Sequence, residues 1–110
     1  MKPPYRDINL WRGNSETLTF RLRDASGVAY DLTGDVLKMF IESDEVVTEI
    51  VATVTDALVG EFQVHITSAI TKTITAKTHQ ANYEIVRFFE AEEKTVLHGN
   101  LLMAGSINHG

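Results

Sequence analysis

Three stretches of this chain alternate apolar and polar residues with a period of two, and that pattern limits the fold more than any other feature. In residues 16–23, Leu18, Phe20 and Leu22 point one way and Thr17, Thr19, Arg21 and Arg23 the other. Residues 36–42 set Leu37, Met39 and Ile41 against Lys38, Phe40 and Glu42. Residues 61–67 set Phe62, Val64 and Ile66 against Glu61, Gln63 and His65. Successive side chains of a strand point to opposite faces, so each stretch reads as a half-buried β-strand. Composition agrees. Val, Ile and Thr make up 30 of the 110 residues, and such side chains are stiff at χ1 and sit well on a pleated surface.

The rest of the chain follows the same reading. Ile8 and Leu10 alternate with Asp7, Asn9 and Trp11 in a short first strand. Residues 46–55 read as one strand with Ile50, Ala52 and Val54 inward. Residues 81–89 carry apolar bulk on both faces, as a central strand does, or one that touches another chain. Residues 95–103 form the last strand, with Leu97, Gly99, Leu101 and Met103 on one face. Turn residues separate these runs at 12–15, 24–27, 43–45, 56–60 and 90–94. Ile70 and Ile74 sit four apart behind a capping Thr67 or Ser68, which predicts one short helix near 68–76. Turn signals at this spacing predict an all-β fold, an Ig-like antiparallel β-sandwich of about seven to eight short strands. Its core is expected to be Leu18, Phe20, Leu22, Leu37, Met39, Ile41, Phe62, Val64, Ile66, Ile85 and Leu101. The paired Pro3 and Pro4 mark residues 1–6 as an extended N-terminal arm. The sandwich spans 7–103, and residues 104–110 read as a small polar tail.

Several classes of function are disfavoured on composition. Leu, Ile, Val and Phe supply 32 residues, too many for a disordered chain. Apolar runs reach only three or four residues, as at Leu101 to Ala104, whereas a membrane helix needs about 20. No signal peptide is expected. Fifteen acidic against ten basic residues give a net charge of −5, which argues against binding driven by nucleic-acid phosphates. With no cysteine, there is neither a disulfide framework nor a thiolate metal site.

No catalytic constellation emerges. His65, His79, His98 and His109 lie at no metal-ligand spacing. Ser15, Ser26 and Ser68 fall in turns without a nucleophile motif. Asp24, Asp31, Asp35, Asp44 and Asp56 also fall in turns, without the spaced acidic loop of a calcium site. Glu92 and Glu93 read as a solvated hairpin tip. The expectation is a non-enzyme with no cofactor, no metal and no small-molecule substrate. Trp11, beside Arg12, reads equally as an interface anchor or an edge-capping core residue. Phe40, on an otherwise polar face, reads as cover for a neighbouring segment or a partner. The candidate protein-interface residues are Pro3, Pro4, Tyr5, Trp11, Arg12, Phe40, Phe88 and Phe89.

A set of short motifs occurs in a particular order: Asp7-Ile8-x-Leu10-x-Arg12-Gly13-Asn14, Leu18-Thr19-Phe20-x-Leu22-x-Asp24-x-x-Gly27 and Asp31-Leu32-Thr33-Gly34. Leu37, Met39 and Ile41 follow, then Thr55-Asp56-x-x-x-Gly60, Val64-x-Ile66-Thr67, Tyr83-x-Ile85 and Leu97-x-Gly99-x-Leu101. This order resembles the small β-sandwich domain at the N-terminus of tailed-phage baseplate upper proteins and related fibre-carrying virion proteins. The resemblance covers roughly residues 7–103; the family usually has Asp where this chain has Asn14. It implies a non-enzymatic virion structural protein, an adaptor in the tail, baseplate or fibre-attachment region. Its expected partners are other virion structural proteins and copies of itself, with no nucleic acid and no membrane. A capsid decoration protein is the alternative, and a carbohydrate-binding accessory sandwich a second one.

Overall fold

The alternating stretches become the strands of two packed sheets. The structure is a computed structural model and describes residues 4–43, 46–73 and 80–104. Eight strands follow in chain order: β1 (Ile8–Trp11), β2 (Glu16–Arg21), β3 (Val36–Ser43), β4 (Val46–Val51), β5 (Thr53–Asp56), β6 (Glu61–Ile66), β7 (Gln80–Phe89) and β8 (Glu92–Ala104). A 3₁₀ turn at Ala57–Val59 precedes β6, and an α-helix, α1 (Ser68–Thr73), follows it. The first sheet has the order β1-β8-β7-β3-β4 and the second β2-β6-β5. Five strands in one sheet packed on three in the other make a small β-sandwich.

Each strand buries the side predicted for it. Leu37, Met39 and Ile41 from β3 meet Phe62, Val64 and Ile66 from β6, and all six are buried. Phe20 and Phe62 are cross-strand partners whose rings stack at 5.2 Å. Leu18 is half-buried against the same core. The core also takes in Ile8, Leu10, Leu32, Ala81, Tyr83, Val96 and Met103. Val96 is the extra residue of a bulge: Ile85 pairs with Leu97 and Val86 with Thr95, so Val96 and Leu97 both turn inward. A strict two-residue alternation cannot place both on one side.

Three expectations need correction. Residues 46–55 form two strands, not one. At Ala52 the chain leaves the five-stranded sheet and enters the three-stranded one. Its N–H donates to the Leu37 carbonyl at 2.8 Å, which anchors the crossing. Ile50, Ala52 and Val54 stay on the core side throughout, so the alternation does not reveal the change of sheet. The sandwich is also not wholly antiparallel, because β1 runs parallel to β8, with Ile8 opposite Leu101 and Trp11 opposite Ala104. The turn after β1 carries the chain to the other sheet, so no hairpin sets its direction. Finally, the β7–β8 hairpin is tighter than the charged turn of residues 90–94. Only Glu90 and Ala91 form it, and Glu92 to Lys94 belong to β8.

The N-terminal segment does not project as an arm where it is described. Tyr5 bridges to His98, Arg6 N–H donates to the His98 carbonyl, and His98 N–H donates to the Pro4 carbonyl. Residues 4–7 thereby prolong β1 along β8. Gly99 permits this approach, since a Cβ there would collide with the Arg6 carbonyl oxygen. The Tyr83 hydroxyl donates to that same oxygen. Residues 1–3 and the tail beyond Ala104 lie outside the described residues, as do residues 74–76 of the expected helix.

Candidate functional site

The ordered motifs have structural work to do. Arg12 is buried, with 1% of its surface exposed, so this candidate interface residue is not available to a partner. Its N–H donates to the Ala104 carbonyl. The turn that follows is pinned by Thr71 of α1, which is also buried. Gly13 N–H donates to the Thr71 hydroxyl at 3.0 Å, and that hydroxyl lies 3.0 Å from the Asn14 carbonyl. Asp24 accepts from the N–H groups of Ser26 and Val28 and closes the next turn. Asp31 accepts from the Thr33 N–H and hydroxyl. The Thr33 hydroxyl bond, foremost, holds its carboxyl below the usual range. Arg87 bonds Asp35 at 2.6 Å and the Asp31 carbonyl at 3.2 Å. Phe89, another candidate, lies 4.4 Å beneath the Arg87 guanidinium and is half-buried there.

Four other candidates share the outer face of the five-stranded sheet. Tyr5 and Trp11 are half-exposed, at 58% and 51%. Phe40 meets Phe88 edge to face, with ring centres 6.5 Å apart, and Lys38 lies 5.3 Å over Phe88. The Tyr5 ring stands edge-on to His98, and its hydroxyl accepts from Asn100 Nδ2 at 2.7 Å. A hydrogen bond with Asp7 raises the pKa of that hydroxyl. Shallow hollows of about 360 and 460 Å³ flank Phe40. Both reach Val47 on the edge strand β4, which is 58% exposed. Sequence reasoning passed over Val47 and Val51, whose exposure on an edge strand follows only from the sheet order. Pro3 lies outside the described residues, and Pro4 is exposed on the N-terminal segment.

A second feature lies along the side of the sandwich. One hollow of about 310 Å³ opens between residues 20–23 of the small sheet's side and residues 94–97 of β8. Another, of about 380 Å³, lies between residues 17–20 and residues 6–9. Arg6 and Phe20 line both, so the two hollows lie end to end as one interrupted groove beside β2. The Arg6 guanidinium sits 5.8 Å over the Phe20 ring across it. No residue signal in the sequence marks the Arg23 end of this groove, because residues 20–23 and 94–97 that wall it are more than 70 positions apart.

Among the described residues, no group of three or more His, Asp or Glu side chains is placed to hold a metal ion. His65 faces outward and shares a 2.9 Å hydrogen bond with the Thr17 hydroxyl; His79 and His109 lie outside the described residues. No described helix is long and apolar enough to cross a membrane.

No protein-family model matches the chain, and no curated protein matches it either. Among solved structures, it is similar to a chain described as a glycoside hydrolase from Bacteroides vulgatus ATCC 8482, at 11% identity and a TM-score of 0.49. That match covers 94% of this chain but only 18% of the other.

Proposed function

We propose that this protein is a non-catalytic adaptor that holds other proteins through the outer face of its five-stranded sheet. In this reading it serves as a virion structural component of the tail, baseplate or fibre-attachment region. The observation that carries the adaptor role is the Phe40 ridge, with its two hollows and the exposed Val47 and Val51 beside it. Contiguous apolar surface with a polar rim marks interaction sites. Here Glu49 and Glu84 stand directly across from Phe40 on the neighbouring strands, and Glu42, Asn82 and Asn100 lie around it, so the apolar side chains are set among polar ones. The virion setting draws on the ordered motifs, whose residues build the turns and close approaches of this sandwich. A carbohydrate-binding role fits the face less well. Phe40 and Phe88 are inclined by 62°, which is not the flat platform that a sugar ring stacks on.

The test has two parts. Labelled antibody against the protein, viewed by electron microscopy on purified particles, is expected to mark the tail. Label on the head instead would assign a decoration role, and no label on any particle would remove the virion setting. In parallel, Phe40→Asp is expected to keep the β-type circular dichroism spectrum and to lose incorporation into particles. Normal incorporation of that variant would show that the outer face is not the binding surface.

A further inference from the structure

We propose that the open edge of β2 receives an extended acidic segment of a partner polypeptide. The segment adds as a strand and lays its carboxylates against Arg6, Arg21, Arg23 and Lys94. This surface is separate from the outer sheet face and stands on its own observations.

The first is an unpaired backbone edge. Among the described residues, β2 is an edge strand of the small sheet and pairs only with β6. Leu22 N–H donates to the Gly60 carbonyl on the β6 side. Alternate residues of an antiparallel strand turn their N–H and C=O the same way. Phe20, Leu18 and Glu16 therefore face β6, and the backbone groups of Thr17, Thr19 and Arg21 face the open side. Natural edges are protected by bulges, by brevity, or by proline and lysine. The opposite edge strand, β5, is four residues long and bulged. β2 has six residues, an unbroken register and no proline or lysine.

The second is space beside that edge. The two hollows follow β2 from Thr17 to Arg23, and the Arg6 side chain over Phe20 stands between them, where an added strand would displace it. The inner side of this groove includes Leu18, Phe20 and Tyr30, which offers apolar contact to alternate side chains of an added strand. Strand addition draws affinity from main-chain bonds and specificity from alternate side chains.

The third is charge. In a chain of net charge −5, the hollow at the Arg23 end is lined by four cationic residues and no acidic one. Among the described residues, ion pairs engage Arg21, Lys38 and Arg87. Among the described residues, the Arg23 side chain bonds a carbonyl, that of Gly27 at 3.2 Å, and no carboxylate. The Arg21–Glu61 pair is 3.3 Å long with its arginine side exposed and its glutamate half-buried, so an incoming carboxylate would compete with Glu61 for the guanidinium. A free strand edge selects a polypeptide over a nucleic acid, because only a polypeptide carries backbone groups at ladder spacing.

The experiment uses a fluorescent peptide of alternating aspartate and valine, about eight residues long, enough to span β2 at roughly 3.3 Å per residue. Anisotropy with the full chain is expected to show binding that weakens as salt rises and screens the charges. Hydrogen exchange should slow at the amides of Thr17, Thr19 and Arg21. Arg23→Glu with Lys94→Glu should weaken binding roughly tenfold or more. Thr19→Pro, which removes one edge N–H without touching the β6 ladder, should weaken it as well. The same peptide methylated on alternate amides tests strand addition on the unmodified protein, and it is expected to bind poorly. Equal binding by the methylated peptide, or by a lysine–valine peptide, would overturn the proposal, as would no binding of the acidic peptide. Tighter binding of a single-stranded oligonucleotide would assign the groove to nucleic acid and overturn it too. Self-association in sedimentation that Thr19→Pro abolishes would assign the edge to a second copy instead.

Discussion

Where β4 runs into β5, the chain itself joins the two sheets, and the Ala52 N–H to Leu37 carbonyl bond seals the crossing. Along β2, on the opposite side, the turn of residues 12–15 carries the chain between the sheets at one end. The remainder is a groove bridged by one side-chain contact, Arg6 over Phe20. The sealed side is lined by small and β-branched residues, whereas the open side carries cations. The difference teaches that one small β-sandwich can have a side that serves the fold and a side that does not need to. A strand switch satisfies backbone groups internally. An uncrossed edge leaves them for water or for a partner.

Substitutions can test this contrast, beginning with the strand that both sides share. Phe62 sits fully buried in β6, the middle strand of the small sheet. Phe62→Ala is expected to lower unfolding free energy by about 3–5 kcal/mol in urea titration, which sets the scale for the rest. On the sealed side, Ala52→Pro removes the N–H that satisfies the buried Leu37 carbonyl. A loss of about 1–3 kcal/mol is expected by the same titration. An unchanged midpoint would mean that the crossing is not a structural seam.

Tyr83 connects the core to the N-terminal wall of the groove. Tyr83→Phe deletes the hydroxyl that donates to the Arg6 carbonyl, and about 1 kcal/mol should be lost. Burial, chiefly, pushes this phenol up to about 12, whereas an unfolded tyrosine titrates near 10. The folded state therefore binds the proton more tightly than the unfolded state. The contribution is full below pH ~10 and is lost as the pH rises toward ~12. Stability of the wild type should fall across that window, and the fall should be shallower in Tyr83→Phe. A parallel fall in both proteins would remove Tyr83 as the cause.

The smallest expected effect is the most telling. Thr19→Pro places the same residue type on the open side that Ala52→Pro places on the sealed side. Because the Thr19 N–H faces away from β6, stability should change by no more than about 0.5 kcal/mol. A loss as large as that of Ala52→Pro would show that the β2 edge is occupied within the chain.

Much of the architecture was legible from local pattern. The period-two runs at 16–23, 36–42 and 61–67 correspond to β2, β3 and β6 with the inward set as read, because burial of one face requires that alternation. The break at Ala52 was not legible, since a strand that changes sheet keeps its core-facing side. Nor was the inward turn of Val96, which depends on a bulge that only the partner strand β7 defines. Of the candidate interface residues, Tyr5, Trp11, Phe40 and Phe88 do share one face. Arg12 misled because a charged residue in a turn is ordinarily solvated, yet here the turn lies under Thr71 and Ala104.

By itself, the order of residues determined that this chain would make short strands, where most of them lie, and which of their faces are apolar. Those properties are set by φ/ψ preference, side-chain branching and the period of the pleat, all of which act over a few neighbours. Only the tertiary structure decided which strand edges remain open and which cations gather beside one of them. Arg6, Arg23 and Lys94 are far apart in the chain and meet because β8 brings its bulged segment beside the end of β2. An edge is a property of the whole sheet order, so no local run of residues can encode it.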